Sequence, residues 1–160
     1  MMDAELIYRV LHVIGATVLF GTGAGIAFFM VMVSRTGKPA LIAHVAETVV
    51  IADTIFTATA VIMQPLTGYL LAREIGWSLS EGWIALSLIL YVFTGLFWLP
   101  VIWIQIRLRD TARKAAADGV PLPAEWRRLY RIWFACGLPA FFAVLGIIWL
   151  MLARPAISLF

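Results

Sequence analysis

One cysteine, Cys136, is all the thiol this chain carries, which excludes an internal disulfide and any multi-cysteine metal or iron–sulfur site within one copy. Cys136 sits in an apolar stretch and reads as packing. Histidine is nearly as scarce, with only His12 and His44, and no HExxH or Cys/His cluster occurs. A zinc centre wants three or four ligands and does not find them. No P-loop or dinucleotide fingerprint is present, and no nucleophile triad can be assembled. Charge is sparse too: Asp, Glu, Lys and Arg make up 13% of the residues, about half the share usual in soluble domains. The start lacks the basic stretch of a signal peptide, since Asp3 and Glu5 precede the first apolar run. That run is therefore expected to be retained as a helix.

Hydrophobic residues fill the space that charge leaves, at 63% of the 160 residues, with a mean hydropathy of +0.98. This is the composition of an integral membrane protein, with the lipid bilayer as its first partner. Four apolar segments are long enough to cross a bilayer, at about 6–33, 43–72, 83–105 and 131–153. Arg107 to Tyr130, broken by Gly119, Pro121 and Pro123, reads as a polar loop over 107–130. Nine of the Lys and Arg residues fall on the side of this loop, against Arg9, Arg73 and Arg154 on the other. The positive-inside rule then places both termini in the periplasm of a bacterial inner membrane. It also accounts for the basic pI of about 9.4 without a nucleic-acid partner. The expected fold is all-α, a four-helix antiparallel transmembrane bundle forming one domain over 1–160. Trp77, Trp83 and Trp149 are expected near the outer interface, and Trp103, Trp126 and Trp133 near the inner one.

Within the second segment lies the feature least compatible with lipid: Asp53, in AETVVIADTIFTATAVIMQPLTGYLLA. At ~100° per residue, Thr57, Ala60 and Gln64 fall within about 40° of it, so the polar groups share one stripe that should face protein. An ionised carboxylate at this depth costs about 2.5–3.5 kcal/mol on insertion scales, and such residues are functional candidates. Asp53 with Thr57 is thus a possible proton or cation site, with interhelical hydrogen bonding as the simpler alternative. Pro65 should free a carbonyl one turn earlier, at Val61. On the third segment Tyr91, Thr94, Trp98 and Gln105 share a face.

The first segment carries His12, with Gly15 and Gly23 on its side leaving that face shallow enough for a flat ring. Gly21 and Gly25 form a GxxxG on the opposite side, suited to packing a second copy or a larger membrane complex. Helical rise puts His12, Met63, Gln64, Tyr91 and Gly146 in one layer, about 9–12 Å in from the outer end. His44 lies roughly 25–30 Å from His12 by the same arithmetic, so one haem cannot join the two. His44 instead pairs locally with Glu47. A haem on His12 would need another sixth ligand, such as Met63, or water.

The stretches YRVLHVIGATVLFGTGAGIAFFM, IADTIFTATAVIMQPLTGYLL, LFWLPVIWIQIRLRD and YRIWFACGLPAFFAVLGIIWLMLARP together resemble an uncharacterised family of predicted bacterial integral membrane proteins. More distantly, LHVIGA and PLTGYLL are similar to the opening helices of HemJ-type protoporphyrinogen oxidases and CopD-type copper-resistance membrane proteins. The first of these resemblances implies a b-type haem ligated by His12. The lysine important on the third helix of that group has no counterpart in 83–105, so the oxidase activity does not carry over. Met30, Met32 and Met63 lie at scattered depths, unlike a soft-metal site for copper. The expectation is a haem b or related porphyrin in the outer half with a redox or electron-transfer role. His12 would be its metal ligand, and Gly15, Gly23, Met63, Gln64 and Tyr91 would surround it. The competing expectations are a small proton or cation transporter working through Asp53 and a non-enzymatic accessory or assembly subunit of a membrane complex. Whether the protein is an enzyme is left open by the sequence.

Overall fold

The computed structural model describes residues 3–157. These form four helices: α1 (Ala4–Ser34), α2 (Pro39–Ile75), α3 (Gly82–Ala117) and α4 (Ala124–Ala153). The connections 35–38, 76–81 and 118–123 are short, so successive helices run antiparallel. Glycines with left-handed backbone end two of the helices. Gly76 (φ 84°) closes α2, with the Trp77 amide donating to the Ala72 carbonyl at 2.8 Å, and Gly119 (φ 66°) follows α3, with Val120 donating to Ala115 at 3.0 Å. Both are Schellman closures, which use up carbonyls that a helix end leaves bare.

Two of the polar stretches expected as loop are helical. α3 runs on to Ala117 and α4 begins at Ala124, so the loop 107–130 shrinks to 118–123. The reason is propensity: RDTARKAAA is rich in Arg, Lys and Ala, good helix formers, so the helix outlasts the membrane. At ~1.5 Å per residue the four helices are about 45–55 Å long, well beyond a hydrocarbon core of ~30 Å. In their most apolar windows only 17%, 28%, 17% and 11% of residues are buried in the chain. Ile62, Leu96, Phe142 and Leu152 are among the large side chains left for lipid to cover.

Protein packing concentrates where the 35–38 and 118–123 turns lie, called here the loop end. Ile26, Met30 and Val33 of α1, Ile42, Ala46 and Val49 of α2, Ile104, Leu108 and Ala112 of α3, and Trp126 and Trp133 of α4 form one core. The Trp126 indole donates to the Leu108 carbonyl at 3.0 Å, and Trp126, Tyr130 and Trp133 stack in series. Glu47 of α2 pairs with Arg113 and, at 3.9 Å, with Arg109, both on α3. The expected His44–Glu47 pair does not form; the cross-helix arginines take the carboxylate and His44 is exposed.

Towards the other end, where α1 begins and α4 ends, the helices separate into two pairs. The second half of α2 lies on α1, and α3 lies on α4. Only Trp83, Ile84 and Leu150 form a buried cluster there. Arg154 reaches over the Trp77 ring at 4.6 Å, and the carbonyl of Ile157 lies against Gly82. Trp83, Trp126 and Trp133 are buried and so are not the interface anchors expected, whereas Trp103 and Trp149 are exposed. Gly21 and Gly25 pack against no other helix: nothing lies within 4 Å of a Cβ at Gly21, and at Gly25 only Phe29 of α1 itself does, at 4.0 Å.

Candidate functional site

Asp53 opens a single π-helical turn, Asp53–Thr57, that interrupts α2. The amide of Ala58 donates to the Asp53 carbonyl, five residues back. Such turns are rare and recur at functional sites. The wide turn keeps Asp53 and Thr57 on the protein-facing side together, at 5% and 6% exposure, and Ala60 and Thr67 continue the buried stripe. By helical rise Asp53 is about 21 Å from Pro39, deep in the bilayer. Its one hydrogen bond to another helix comes from the Trp98 indole of α3, at 3.3 Å.

Asp53 and Thr57 open onto a chamber of about 400 Å³ that all four helices line. Leu19, Phe20 and Gly23 contribute from α1, Thr94, Trp98 and Gln105 from α3, and Trp133, Cys136 and Phe141 from α4. The walls are largely apolar. Thr57 and Trp133 line the chamber too, but Thr57 Oγ1, which has the Asp53 carboxyl beside it on its own helix, and Trp133 Nε1 are both sealed from its open space. Gln105, also on the wall, is 4% exposed.

His12 belongs to a different place. Its Nδ1 lies 3.0 Å from Thr67 Oγ1, and the Thr67 hydroxyl donates to the Met63 carbonyl at 2.7 Å. With the hydroxyl proton on the Met63 carbonyl, Thr67 Oγ1 has a lone pair to accept from an Nδ1–H of His12. Gly68 makes this approach possible, since a Cβ there would stand 3.0 Å from His12 Cε1. Gln64 donates to the His12 carbonyl at 2.8 Å and fills the space over Gly15, where a Cβ would meet Gln64 Nε2 at 2.4 Å.

The expected site residues divide between two places. His12, Gly15 and Gln64 come together where α1 meets α2, with Met63 contributing its carbonyl to the same network. Gly23, Asp53 and Thr57 come together at the chamber. The space over Gly15 holds the Gln64 amide, and Gly23 is about 16 Å along α1 from His12. Tyr91 lines neither place; its hydroxyl donates to the Val61 carbonyl. On α3, Thr94, Trp98 and Gln105 share the chamber as their common face predicts. Thr67 and Gly68, which hold His12, and Trp133, which lines the chamber, are the contributors that the sequence did not single out for a site. A threonine one turn beyond Met63 on the polar stripe was the available signal for the first.

The residue pattern and the fold agree with the family comparison. The chain belongs to the family described as "Predicted integral membrane protein (DUF2269)", which matches residues 6–155. No curated protein and no solved structure matches it. Family membership thus establishes a membrane protein and supplies no activity. Among the described residues no group of three or more His, Cys, Asp or Glu side chains is placed to hold a metal ion.

Proposed function

We propose that this is a bacterial inner-membrane protein that exchanges a proton or a cation at Asp53, with the start of α1 and the end of α4 on the periplasmic side. The orientation rests on the Lys and Arg distribution. The observation that carries the reading is a buried carboxylate on a π-helical turn, opening onto a largely apolar chamber that all four helices line. A carboxyl group at such a depth is favourable when it carries a proton or faces a cation, and no Lys, Arg or His lines the chamber to serve as a fixed partner. Asp53 is therefore available for exchange. The test is infrared spectroscopy of the protein in liposomes, with the protonated-carboxyl band assigned to Asp53 by its loss in Asp53→Asn. The band should rise and fall as the bulk pH is stepped. A band that ignores bulk pH wherever the protein stays folded would overturn the reading.

A second reading, haem b or a related porphyrin on His12 with a redox role, is favoured by one observation. The contact between Nδ1 and Thr67 holds the imidazole in one orientation, as a second partner does for an axial histidine. A bound haem would supply one-electron chemistry there, and Gln64 would have to leave Gly15 to admit it. Absorption spectra of the purified protein, air-oxidised and then dithionite-reduced, decide this. A Soret band that sharpens on reduction and is lost in His12→Ala is the expected result. Colourless protein from haem-replete cells removes the reading.

A further inference from the structure

The chamber combines one acid, no base and an unusual density of aromatic rings. Phe20 of α1, Phe97 and Trp98 of α3, and Trp133, Phe134 and Phe141 of α4 all line it. Among the described residues Asp53 is the only carboxylate on the wall, and its one hydrogen bond across helices is the 3.3 Å bond from Trp98. From this we infer that the chamber is a binding site for a lipophilic organic monocation, an aryl or alkyl ammonium or phosphonium. The inference rests on Asp53 being the exchangeable group, and names what it exchanges for.

Each alternative ligand class leaves something unsatisfied. A metal cation such as Ca²⁺ or Mg²⁺ needs six or more oxygen ligands, and apart from Asp53 the wall offers side-chain oxygens only at Thr57, Thr94 and Gln105. An anion meets Asp53 with nothing to offset it. A neutral hydrocarbon fills the space but leaves the Asp53 carboxyl group without a counter-charge. An organic monocation matches the single carboxylate in charge. Its apolar groups suit the walls, and its spread charge is attracted by the negative faces of the rings, as in aromatic cages for quaternary ammonium. A volume of about 400 Å³ is within the usual range for small-molecule sites.

A way in from the bilayer is also visible. α1 and α4 touch only lightly, and Phe20 and Phe141, with ring centroids 5.3 Å apart, bridge them at the chamber wall. A cation concentrated in the membrane reaches the chamber by parting these two rings.

The experiment is equilibrium dialysis of the detergent-purified chain with radiolabelled tetraphenylphosphonium and, in separate cells, with radiolabelled tetraphenylborate, which has the same shape and the opposite charge. Wild-type protein should bind the phosphonium saturably, and the borate should show no saturable binding. Asp53→Asn keeps an acceptor oxygen for the Trp98 indole and should weaken binding by more than about tenfold. Gly23→Leu leaves Asp53 in place and fills the chamber from α1, where a Cβ meets nothing within 4 Å, and should abolish binding. Absence of saturable phosphonium binding, equal affinity in Asp53→Asn, unaltered binding in Gly23→Leu, or equally tight saturable binding of the borate on its own would each overturn the inference. The infrared band separates the two levels: if it follows bulk pH while the phosphonium fails to bind, the proton site stands and the ligand class falls.

Discussion

The Tyr91 hydroxyl of α3 donates to the carbonyl of Val61, the carbonyl that Pro65 deprives of its helical amide. A proline in a membrane helix leaves an acceptor with no water to turn to, and here a side chain from the neighbouring helix takes it. The bond ties α2 to α3 where the two helices otherwise diverge.

Tyr91→Phe should therefore destabilise the fold by about 1–3 kcal/mol, the cost of stranding a buried acceptor. In a Pro65→Ala background the amide of residue 65 can bond Val61 again, and the same substitution should cost about 1 kcal/mol or less. Unfolding in mixed detergent micelles, run as a double-mutant cycle, checks the coupling; equal costs in the two backgrounds would deny it.

Gly15 and Gly23 lie on one side of α1 but should respond oppositely to alanine. At Gly15 a Cβ displaces the Gln64 amide and breaks its bond to the His12 carbonyl, a loss of about 1–2 kcal/mol that the helix-propensity gain of about 1 kcal/mol offsets only in part. At Gly23 a Cβ enters open space, and the change should be neutral or stabilising by up to about 1 kcal/mol. The same unfolding measurement ranks them.

Glu47→Gln removes the partner of Arg113 and Arg109 at the loop end. Glu47 is about a third exposed and Arg113 more so, so the loss should stay below about 1 kcal/mol. It should also shrink as salt is raised. Comparing the stability of the two proteins at low and high NaCl tests both statements.

Gly82→Ala puts a Cβ 1.9 Å from the Ile157 carbonyl, a backbone atom that must move away. The segment after α4 should lift from α3 and take Arg154 off Trp77 and Trp83. Faster amide exchange through 154–157, with little change in α1, is the expected readout.

Much of this arrangement is legible in the sequence because it follows from periodicity. The buried stripe of Asp53, Thr57 and Ala60 is a matter of angle along one helix, and the freed Val61 carbonyl is a matter of counting back from Pro65. The common face of Thr94, Trp98 and Gln105 is of the same kind. What escapes is set by relations between helices. A depth count places His12, Gln64 and Tyr91 only along their own axes, whereas the structure joins Gln64 to His12 and leaves Tyr91 apart, because the second half of α2 follows α1 closely while α3 moves off with α4. The π-helical turn leaves no mark in DTIFT that separates it from ordinary helix. The shortened loop has another cause: polarity shows where the membrane ends, and propensity shows where the helix ends, and in 107–117 the two disagree.

The concentration of core packing at the loop end has a mechanical consequence. Gripped at the start of α1 and the end of α4 and pulled apart, the molecule is held at its weaker end, where Trp83, Ile84 and Leu150 are the buried cluster. The α1–α4 seam should part at low force. The main rupture should come only when the load reaches the shared core of Met30, Ile42, Leu108 and Trp126, so that extraction proceeds as an unzipping toward the 35–38 and 118–123 turns.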